Sequence, residues 1–369
     1  MVESSRRWLL VVGSLRSGGT ERQVVALANE LCRRGFTVVI AVIDGRHAPA
    51  YEVDPRVGVV ELSRGGGFGL VAAVRRLRRL IDDATIVYSL LDAANLVAAL
   101  ATWGRRTRLL WGVRASDIGP SKAAWIASRL CRPFSGRVDV LIGNAAACID
   151  FYSSLGYRPR AHRVVFNGID TDRWRPDEVA RTDVRRELRL DDGTLLLGFV
   201  ARVDRQKRHE LLLEAFAGIA GSHLVLVGRG TDDPSGVVAR AARRLGIIDR
   251  VSLLGERKDV PRLTAALDVA CCASYYEGFP NSLLEAMASE VCCVATDVGG
   301  VREVLGDTGI VIANPSADEF SAALNRVVSE RTLRAALASA GRRRAVELFS
   351  IGAMVDATIA ASSAERNAS

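Results

Sequence analysis

Residues 268–290 have the sequence DVACCASYYEGFPNSLLEAMASE. Its first part, Val269 to Ala273, is a run of small and apolar residues that predicts a buried β-strand. A helix is predicted from about Asn281, because Pro280 has a fixed φ and no N–H and so suits the start of a helix. A buried strand followed by a short turn and a helix is typical of α/β domains built on a parallel sheet.

The turn between this strand and helix has the chemistry of a phosphate site. Ligands of open α/β sheets bind beyond the carboxyl ends of the strands, where the next helix begins. We expect the N–H groups of residues 282–284 to be free and to point at such a ligand, and the helix dipole favours an anion there. Gly278 lets the backbone come close to the ligand. Glu277 and Glu285 flank this position and can accept hydrogen bonds from hydroxyl groups, so the pattern fits a nucleotide sugar.

The whole chain has the composition of a soluble globular protein. Its 369 residues suit two α/β domains, with 49% hydrophobic and 25% charged residues. The N-terminus, MVESSRRWLLVVGSL, imitates a signal peptide, but the apolar run Trp8–Val12 is short and a first strand is the better interpretation. Seven cysteines without zinc-ligand spacing, four of them in apolar runs, predict a reduced cytoplasmic protein.

Positive charge is concentrated in the first half. Residues 1–165 carry 24 Lys+Arg and 13 Asp+Glu, a net charge of +11, whereas residues 166–369 carry 26 and 29, a net charge of −3. This asymmetry indicates either an anionic partner, such as nucleic acid, a membrane surface or a phosphorylated acceptor, or simply solvated arginines. Nucleic-acid binding is disfavoured because aromatic residues are only 6% of the chain and do not interleave with the basic stretches.

One predicted helix, LVAAVRRLRRLID at residues 70–82, combines this charge with an apolar face. Helical spacing places Val71, Val74, Leu77 and Ile81 on one side, next to the four arginines of the segment. Such a helix either lies on an anionic membrane or packs in the core with a solvated edge.

The loop GSLRSGGTE at residues 13–21 follows the first predicted strand and nearly matches a phosphate-binding P-loop. Gly13, Gly18 and Thr20 have the required spacing, but Gly19 replaces the essential lysine. No group in the loop would therefore reach a β- or γ-phosphate, and the pattern excludes an NTPase of that class.

The spacing of Glu277 and Glu285, with EGFPN between them, resembles the E-x7-E motif of the retaining glycosyltransferases of family four. The resemblance implies the GT-B fold, an α/β architecture of two Rossmann-like, doubly wound domains that face a cleft. It implies that Glu277 binds the transferred sugar and that Glu285 binds the nucleotide ribose.

Further segments resemble the same family and imply the domain organisation. The segment FNGID, at residues 166–170, is similar to the family's domain crossover. Residues 1–170 would form an acceptor-binding domain, residues 171–349 a nucleotide-sugar domain, and a last helix at residues 350–361 would pack back on the first domain. The sequence Asp170-Thr171-Asp172 imitates a metal-binding motif of another fold, but it lies in this linker, so we expect no metal site and no cofactor other than the donor.

The resemblance also assigns the site residues. Arg202 and Lys207 match the family's pair of cations that neutralise the diphosphate, and Arg257 would lie near the base. Many relatives have a histidine just after the strand corresponding to Leu109–Val113, whereas this chain has Arg114 at that position. Arg114 either holds a phosphate or a sugar hydroxyl, or it forms an interdomain salt bridge, for example with Asp117. The catalytic set is therefore Glu277, Arg202, Lys207 and Arg114. The donor-binding set comprises Gly18, Gly19, Arg202, Lys207, Arg257, Glu277, Gly278, Phe279, Pro280, Asn281, Ser282, Leu283 and Glu285.

These observations predict a metal-independent, retaining glycosyltransferase. The expected donor is a UDP-sugar and the expected acceptor a glycan or a lipid-linked sugar, at the cytoplasmic face of a membrane. A UDP-sugar epimerase or a phosphorylase on the same fold is an alternative enzyme, and a basic nucleic-acid-binding protein is the alternative outside enzymes.

Overall fold

The computed structural model describes residues 7–16, 18–63, 69–82, 85–114, 122–191 and 193–363. The chain divides into two compact units. The N-terminal unit runs to Gly168 and resumes at Ile351, and the C-terminal unit spans Ile169–Ser350. Asp117, which the sequence analysis named beside Arg114, lies outside the described residues.

The N-terminal unit is a parallel sheet with helices on both faces. Its strands are β1 (Arg7–Val12), β2 (Thr37–Asp44), β3 (Gly58–Ser63), β4 (Thr85–Leu90), β5 (Arg108–Val113), β6 (Val140–Gly143) and β7 (His162–Val164). Its helices are α1 (Gly19–Arg33), α2 (Gly69–Leu80), α3 (Asp92–Ala101), α4 (Lys122–Cys131) and α5 (Ala146–Ser154), together with α14 (Ile351–Ser363) from the end of the chain. The strand order is β3-β2-β1-β4-β5-β6-β7. The direction of winding reverses between β1 and β4, which is where doubly wound sheets bind ligands.

The residues of β1 explain why both faces of this sheet are covered. Trp8 and Leu10 belong to a core shared with α1 and α14, whereas Leu9 and Val11 belong to a second core shared with α2 to α5. All four side chains are essentially inaccessible to solvent. A strand buried on both faces is continuously apolar, as this segment is, because helices pack against it from both sides.

Helix α2 is packed differently from the prediction. Leu77 and Ile81 are buried as expected, but Val71 is 49% exposed and Ala73 is buried instead. The helix therefore turns a different set of residues to the core, and its first turn contributes apolar side chains to the surface.

The C-terminal unit repeats the same plan with six strands. They are β8 (Leu195–Val200), β9 (Ser222–Val227), β10 (Val251–Leu253), β11 (Val269–Cys272), β12 (Cys292–Thr296) and β13 (Ile310–Ile312). The helices are α6 (Glu178–Glu187), α7 (His209–Ala217), α8 (Val237–Arg244), α9 (Val260–Ala265), α10 (Asn281–Ala288), α11 (Val301–Leu305), α12 (Ala317–Ser329) and α13 (Arg331–Phe349). The order β10-β9-β8-β11-β12-β13 is again that of a doubly wound sheet, with β8 and β11 at the switch point. The predicted α/β class with two Rossmann-like units is confirmed.

Candidate active site

The strand–turn–helix segment predicted from the sequence lies at the switch point of the C-terminal unit. Strand β11 pairs in parallel with β8, with Val269 opposite Leu197. Because the two strands run in the same direction, the loop after β8 and the turn after β11 leave the same edge of the sheet. The first carries Arg202 and Lys207, and the second carries Glu277. The topology therefore explains how residues seventy positions apart come together.

Glu277 is a buried acid with a cationic partner. Its Oε1 accepts a hydrogen bond from the Lys207 Nζ at 2.5 Å and another from the Ser274 hydroxyl at 2.6 Å. Glu277 is only 8% exposed, and the Lys207 side chain is 18% exposed. At this burial the pair is poorly screened by solvent, so each charge depends on the other or on a ligand that replaces it. The sequence prediction did not include Ser274, although its position three residues before the glutamate places its hydroxyl within reach.

Glu285 lies on α10, and its side chain is also buried, with 6% exposure. Helix α10 begins after Pro280, which is the N-cap residue with φ −79° and ψ 88°. Two acids at the same strand-to-helix turn, both largely removed from water, require hydrogen-bond partners. This is the environment expected of groups that accept hydrogen bonds from hydroxyls.

The expectation of three free amides at the start of α10 is wrong for two of them. The N–H groups of Leu283 and Leu284 both donate to the carbonyl oxygen of Pro280, at 3.1 and 3.3 Å. The tight first turn uses these donors internally, as helix ends often do. Among the described residues, the Ser282 amide makes no such bond and is the one left to face an anion.

Two other residues of this turn have structural partners. The Gly278 carbonyl oxygen accepts a hydrogen bond from the Gly300 amide at 3.2 Å, so the turn that contains Gly300 lies against the turn between β11 and α10. Phe279 is 6% exposed, and its ring centroid lies 5.9 Å from that of Phe349 in an edge-to-face contact. The phenyl ring therefore packs in the core, which leaves only the backbone of residue 279 for a ligand.

Arg202 lies on a loop that is fixed by its neighbours. Its Nη2 is 3.3 Å from the Asp204 carboxylate, and half of its side chain is exposed. Beneath it, Gly228 has φ +144°, and a Cβ there would overlap the Ala201 carbonyl oxygen and approach the Arg202 nitrogen to 2.8 Å. The Gly228 amide donates to the Gly255 carbonyl oxygen at 2.7 Å. The loops after β8, β9 and β10 are thereby held together, and the Arg202 side chain lies half-exposed above them beside Asp204.

Arg257 belongs to an ion-pair network. Its guanidinium makes two hydrogen bonds of 2.8 Å to Asp259 and one of 3.2 Å to Glu187 on α6, and Arg262 contacts the same two acids. The Asp259 carboxylate raises the pKa of Arg257, and the guanidinium in turn lowers the pKa of Asp259. The side chain is thus committed to structure, and only its backbone is available for base recognition.

In the N-terminal unit, Gly18 caps α1 without offering a bare amide. Its N–H donates to the Tyr51 hydroxyl at 3.2 Å, and this hydroxyl donates to the Gly18 carbonyl oxygen at 3.1 Å. The Gly18 amide is therefore already used within the unit. Gly19 is the first residue of the helix.

Arg114 follows β5 and is held by two neutral side chains. Its Nη1 donates to the Asn167 amide oxygen at 3.0 Å, and its Nη2 donates to the Tyr88 hydroxyl at 3.1 Å. Its Nε is buried and has no hydrogen-bond partner among the described residues. Tyr88 and Asn167 orient the guanidinium but do not neutralise it, which suits a group that binds an anion.

Asp92, which the sequence prediction did not include, lies at the start of α3 beside the β1–β4 switch point. Its Oδ2 accepts a hydrogen bond from the Tyr152 hydroxyl at 3.0 Å, whereas its Oδ1 is buried without a partner among the described residues. Burial raises the pKa of this carboxyl to about 6. The preceding residue, Leu91, has φ +71°, a strained conformation for a leucine. The only sequence signal is an acid just after the apolar run that forms β4.

Comparison with known proteins supports this description. Residues 17–173 match the family described as Glycosyltransferase Family 4, and residues 180–344 match the family described as Glycosyl transferases group 1. The chain is 26% identical, over 93% of its length and 95% of the relative, to the lipopolysaccharide core biosynthesis glycosyltransferase LpsE of Rhizobium meliloti. It is 29% identical, over 95% of its length and 85% of the relative, to the D-inositol 3-phosphate glycosyltransferase of Geodermatophilus obscurus.

Solved structures show the same fold. The Anabaena protein HepE, in complex with UDP and glucose, superposes with a TM-score of 0.80 at 23% identity, over 96% of this chain and 98% of that one. The fold and the two family matches define a glycosyltransferase with the GT-B fold. More narrowly, the chain is of the family-four type.

Proposed function

We propose that the protein transfers a sugar from a UDP-sugar to a glycan or lipid-linked acceptor with retention of the anomeric configuration. The observation that carries the proposal is the buried Lys207–Glu277 pair on the edge that also bears Arg202. These groups offer an acid for sugar hydroxyls and two cations for a diphosphate. The relatives named for lipopolysaccharide core and inositol phosphate glycosylation, and the HepE complex with UDP and glucose, support this choice of substrates.

The chemistry follows from where charge develops. The bond between the anomeric carbon and the phosphate oxygen breaks, and a bond from the acceptor hydroxyl oxygen forms on the same face of the sugar. The acceptor proton passes to the departing phosphate, so no protein carboxylate has to attack. Arg202 and Lys207 stabilise the negative charge on the leaving diphosphate, and Glu277 holds the sugar. With two cations in that role, we propose that no metal ion and no cofactor is required.

In this scheme the N-terminal unit binds the acceptor. Arg114, oriented by Tyr88 and Asn167, provides a positive charge for a phosphate or for a sugar hydroxyl. The +11 charge of residues 1–165 supports contact with an anionic membrane at its cytoplasmic face. None of the helices within the described residues is both long and apolar enough to span a bilayer.

The test is a product analysis. The purified protein is incubated with a panel of nucleotide sugars and lipid-linked acceptors, with and without a chelator, and the anomeric configuration of the product is read by NMR. We expect an α-linked product from an α-linked donor, unchanged by the chelator. Inversion would contradict the mechanism, and conversion of the UDP-sugar without any acceptor would indicate an epimerase.

Donor binding provides a second test. Glu285→Ala should abolish calorimetric binding of the UDP-sugar, whereas Glu347→Ala, which removes an exposed acid from α13, should leave it unchanged. Equal affinity of both variants would count against the site.

A further inference from the structure

A cavity of about 530 Å³ lies among α2, α3 and α4 of the N-terminal unit. Most of its wall is aliphatic, including Ile43, Leu70, Leu96, Val97, Ile126 and Leu130. Its polar residues, Asp44, Arg46 and Ser63, lie at or just beyond the carboxyl ends of β2 and β3. The cavity thus starts at the ligand-binding edge of the sheet and extends between apolar helix surfaces. Its volume is in the range of small-molecule sites, and it is not part of the site described above.

The helices around this cavity expose apolar side chains that folding alone would bury. Leu70 is 49% exposed, and Ile126 and Leu130 are each 51% exposed. Trp125, beside them on α4, is also 51% exposed and carries the Arg129 guanidinium 4.8 Å from its ring centre. A contiguous group of exposed aliphatic and aromatic residues around a concave surface marks a binding site.

The same helices are strongly basic. The sequences of α2 and α4 contain five arginines and one lysine but no acidic residue. Arg75, Arg76, Arg79 and Arg129 are exposed. An apolar cavity between two cationic helices complements a molecule that has an aliphatic chain and an anionic group. This combination favours a lipid over a protein segment, which would present backbone polar groups.

We propose that this cavity binds the aliphatic chain of a phosphate-bearing lipid acceptor, with the exposed arginines of α2 and α4 holding its phosphate. The proposal deepens the proposed function, since it rests on a lipid-linked acceptor. It also explains why the first turn of α2 exposes Leu70, which lines the cavity, in place of packing it in the core.

The experiment measures binding of alkyl phosphates by calorimetry, below the concentrations at which they form micelles. Butyl, octyl and dodecyl phosphate should bind with increasing affinity, up to about fourfold for each methylene group that enters the cavity. Dodecyl maltoside, which has no charge, should bind more weakly than dodecyl phosphate. Phosphatidylglycerol vesicles are tested in parallel.

Matched variants locate the site. Ala93 lines the cavity from α3, and Ala72 on α2 is another exposed helical alanine, which does not line it. Ala93→Phe should weaken dodecyl phosphate binding by about tenfold or more by filling the cavity, and Ala72→Phe should leave it unchanged. Thermal unfolding verifies that both variants are folded.

The proposal is overturned if dodecyl phosphate fails to bind, if affinity is independent of chain length, or if the two variants behave alike. It is also overturned if the wild type binds only vesicles, with Ala93→Phe as effective as wild type, because the surface would then adsorb to membranes without taking up a chain. UDP binding is measured on the same samples. If the wild type does not bind UDP, the proposed function is refuted. If it binds UDP but no alkyl phosphate, only this inference is refuted.

Discussion

Lys207 and Glu277 form an ion pair with 2.5 Å between Nζ and Oε1, although we assign them to different parts of the donor. Without a donor, Lys207, which we expect to face the diphosphate, is neutralised by Glu277, which we expect to face the sugar. A bound UDP-sugar would replace both partners, with its phosphate oxygens near the lysine and its hydroxyls near the glutamate. The pair therefore keeps two buried charges compensated before the donor arrives.

This relationship predicts coupled losses of stability and activity. Lys207→Met leaves Glu277 buried without its cation and should lower the free energy of unfolding by about 3–5 kcal/mol. It should also reduce kcat/KM by about a hundredfold or more, because a charge that stabilises the leaving group is lost. Urea unfolding and initial rates measure the two effects.

The double variant Lys207→Met with Glu277→Gln separates these contributions. Removing both charges should restore most of the stability but none of the activity. The double variant should therefore be more stable than the sum of the two single losses predicts. Lys258→Met removes an exposed lysine of the same unit and should change neither property. Additive stability losses in the double variant would contradict the ion pair.

Arg114 allows a test of the N-terminal unit. Arg114→Lys keeps the charge but cannot contact both the Tyr88 hydroxyl and the Asn167 amide in the same orientation. We expect kcat/KM to fall by about tenfold to a hundredfold in this variant. Tyr88→Phe removes one orienting hydrogen bond and should lower kcat/KM by less. If both variants lower only the melting temperature and leave the kinetics intact, the role of Arg114 is structural.

Much of the fold follows from local patterns in the sequence. Continuous apolar runs such as those containing Leu9 and Val294 correspond to strands covered on both faces, and their alternation with amphipathic segments predicts a parallel sheet. Once the order of such a sheet is known, the edge that carries Arg202 and Glu277 is known as well. The pairing of these loops was therefore within reach of sequence reasoning.

Other features depend on packing that the sequence does not reveal. Strand β3 was not predicted, because GVVELS is short and half-exposed. The exposure of Val71 depends on how α2 is rotated against its neighbours, which helical spacing alone does not determine. Likewise, helical spacing does not reveal that the Leu283 and Leu284 amides donate to the Pro280 carbonyl oxygen within the first turn of α10.

Asp92 predicts a pH effect on the N-terminal unit. Its pKa is raised by burial to about 6, from 3.8 in the unfolded chain, so the folded state binds a proton that the unfolded state releases between these values. This contribution to stability is present below pH 4 and is lost as the pH rises through about 6. Asp92→Asn has no carboxyl to ionise, so it does not lose this stability as the pH rises. It should be more stable than wild type at neutral pH, by at most about 3 kcal/mol. Urea unfolding at pH 4 and pH 7 should show the two proteins converging at the lower pH, and a constant difference would contradict the prediction.

His209 predicts the opposite dependence in the C-terminal unit. Burial lowers its pKa to about 4 from 6.5, and its ring packs 4.9 Å from that of Phe199. The unfolded chain gains a proton below pH 6.5 that the folded state does not accept until about pH 4, so stability falls across this window as the solution is acidified. His209→Phe should resist acidification better than wild type, by up to about 3 kcal/mol near pH 4. If the unfolding free energies of the two proteins change with pH in the same way, the His209 ring does not cause the loss of stability in acid.

The position of the Arg202 loop depends on the backbone conformation of Gly228. Its φ of +144° is unfavourable for any residue with a side chain, and a Cβ would collide with the Ala201 carbonyl oxygen next to Arg202. Gly228→Ala should therefore cost about 3 kcal/mol or more in unfolding free energy and displace the Arg202 loop, with a corresponding loss of UDP affinity. Gly218 at the end of α7 is the matched control, since its φ is −84° and no atom lies within 4 Å of a Cβ built there. Gly218→Ala should be neutral or slightly stabilising. The prediction is contradicted if the two variants are equally stable in urea and bind UDP as the wild type does. The close contact between the loops after β8 and β9 would then not position Arg202.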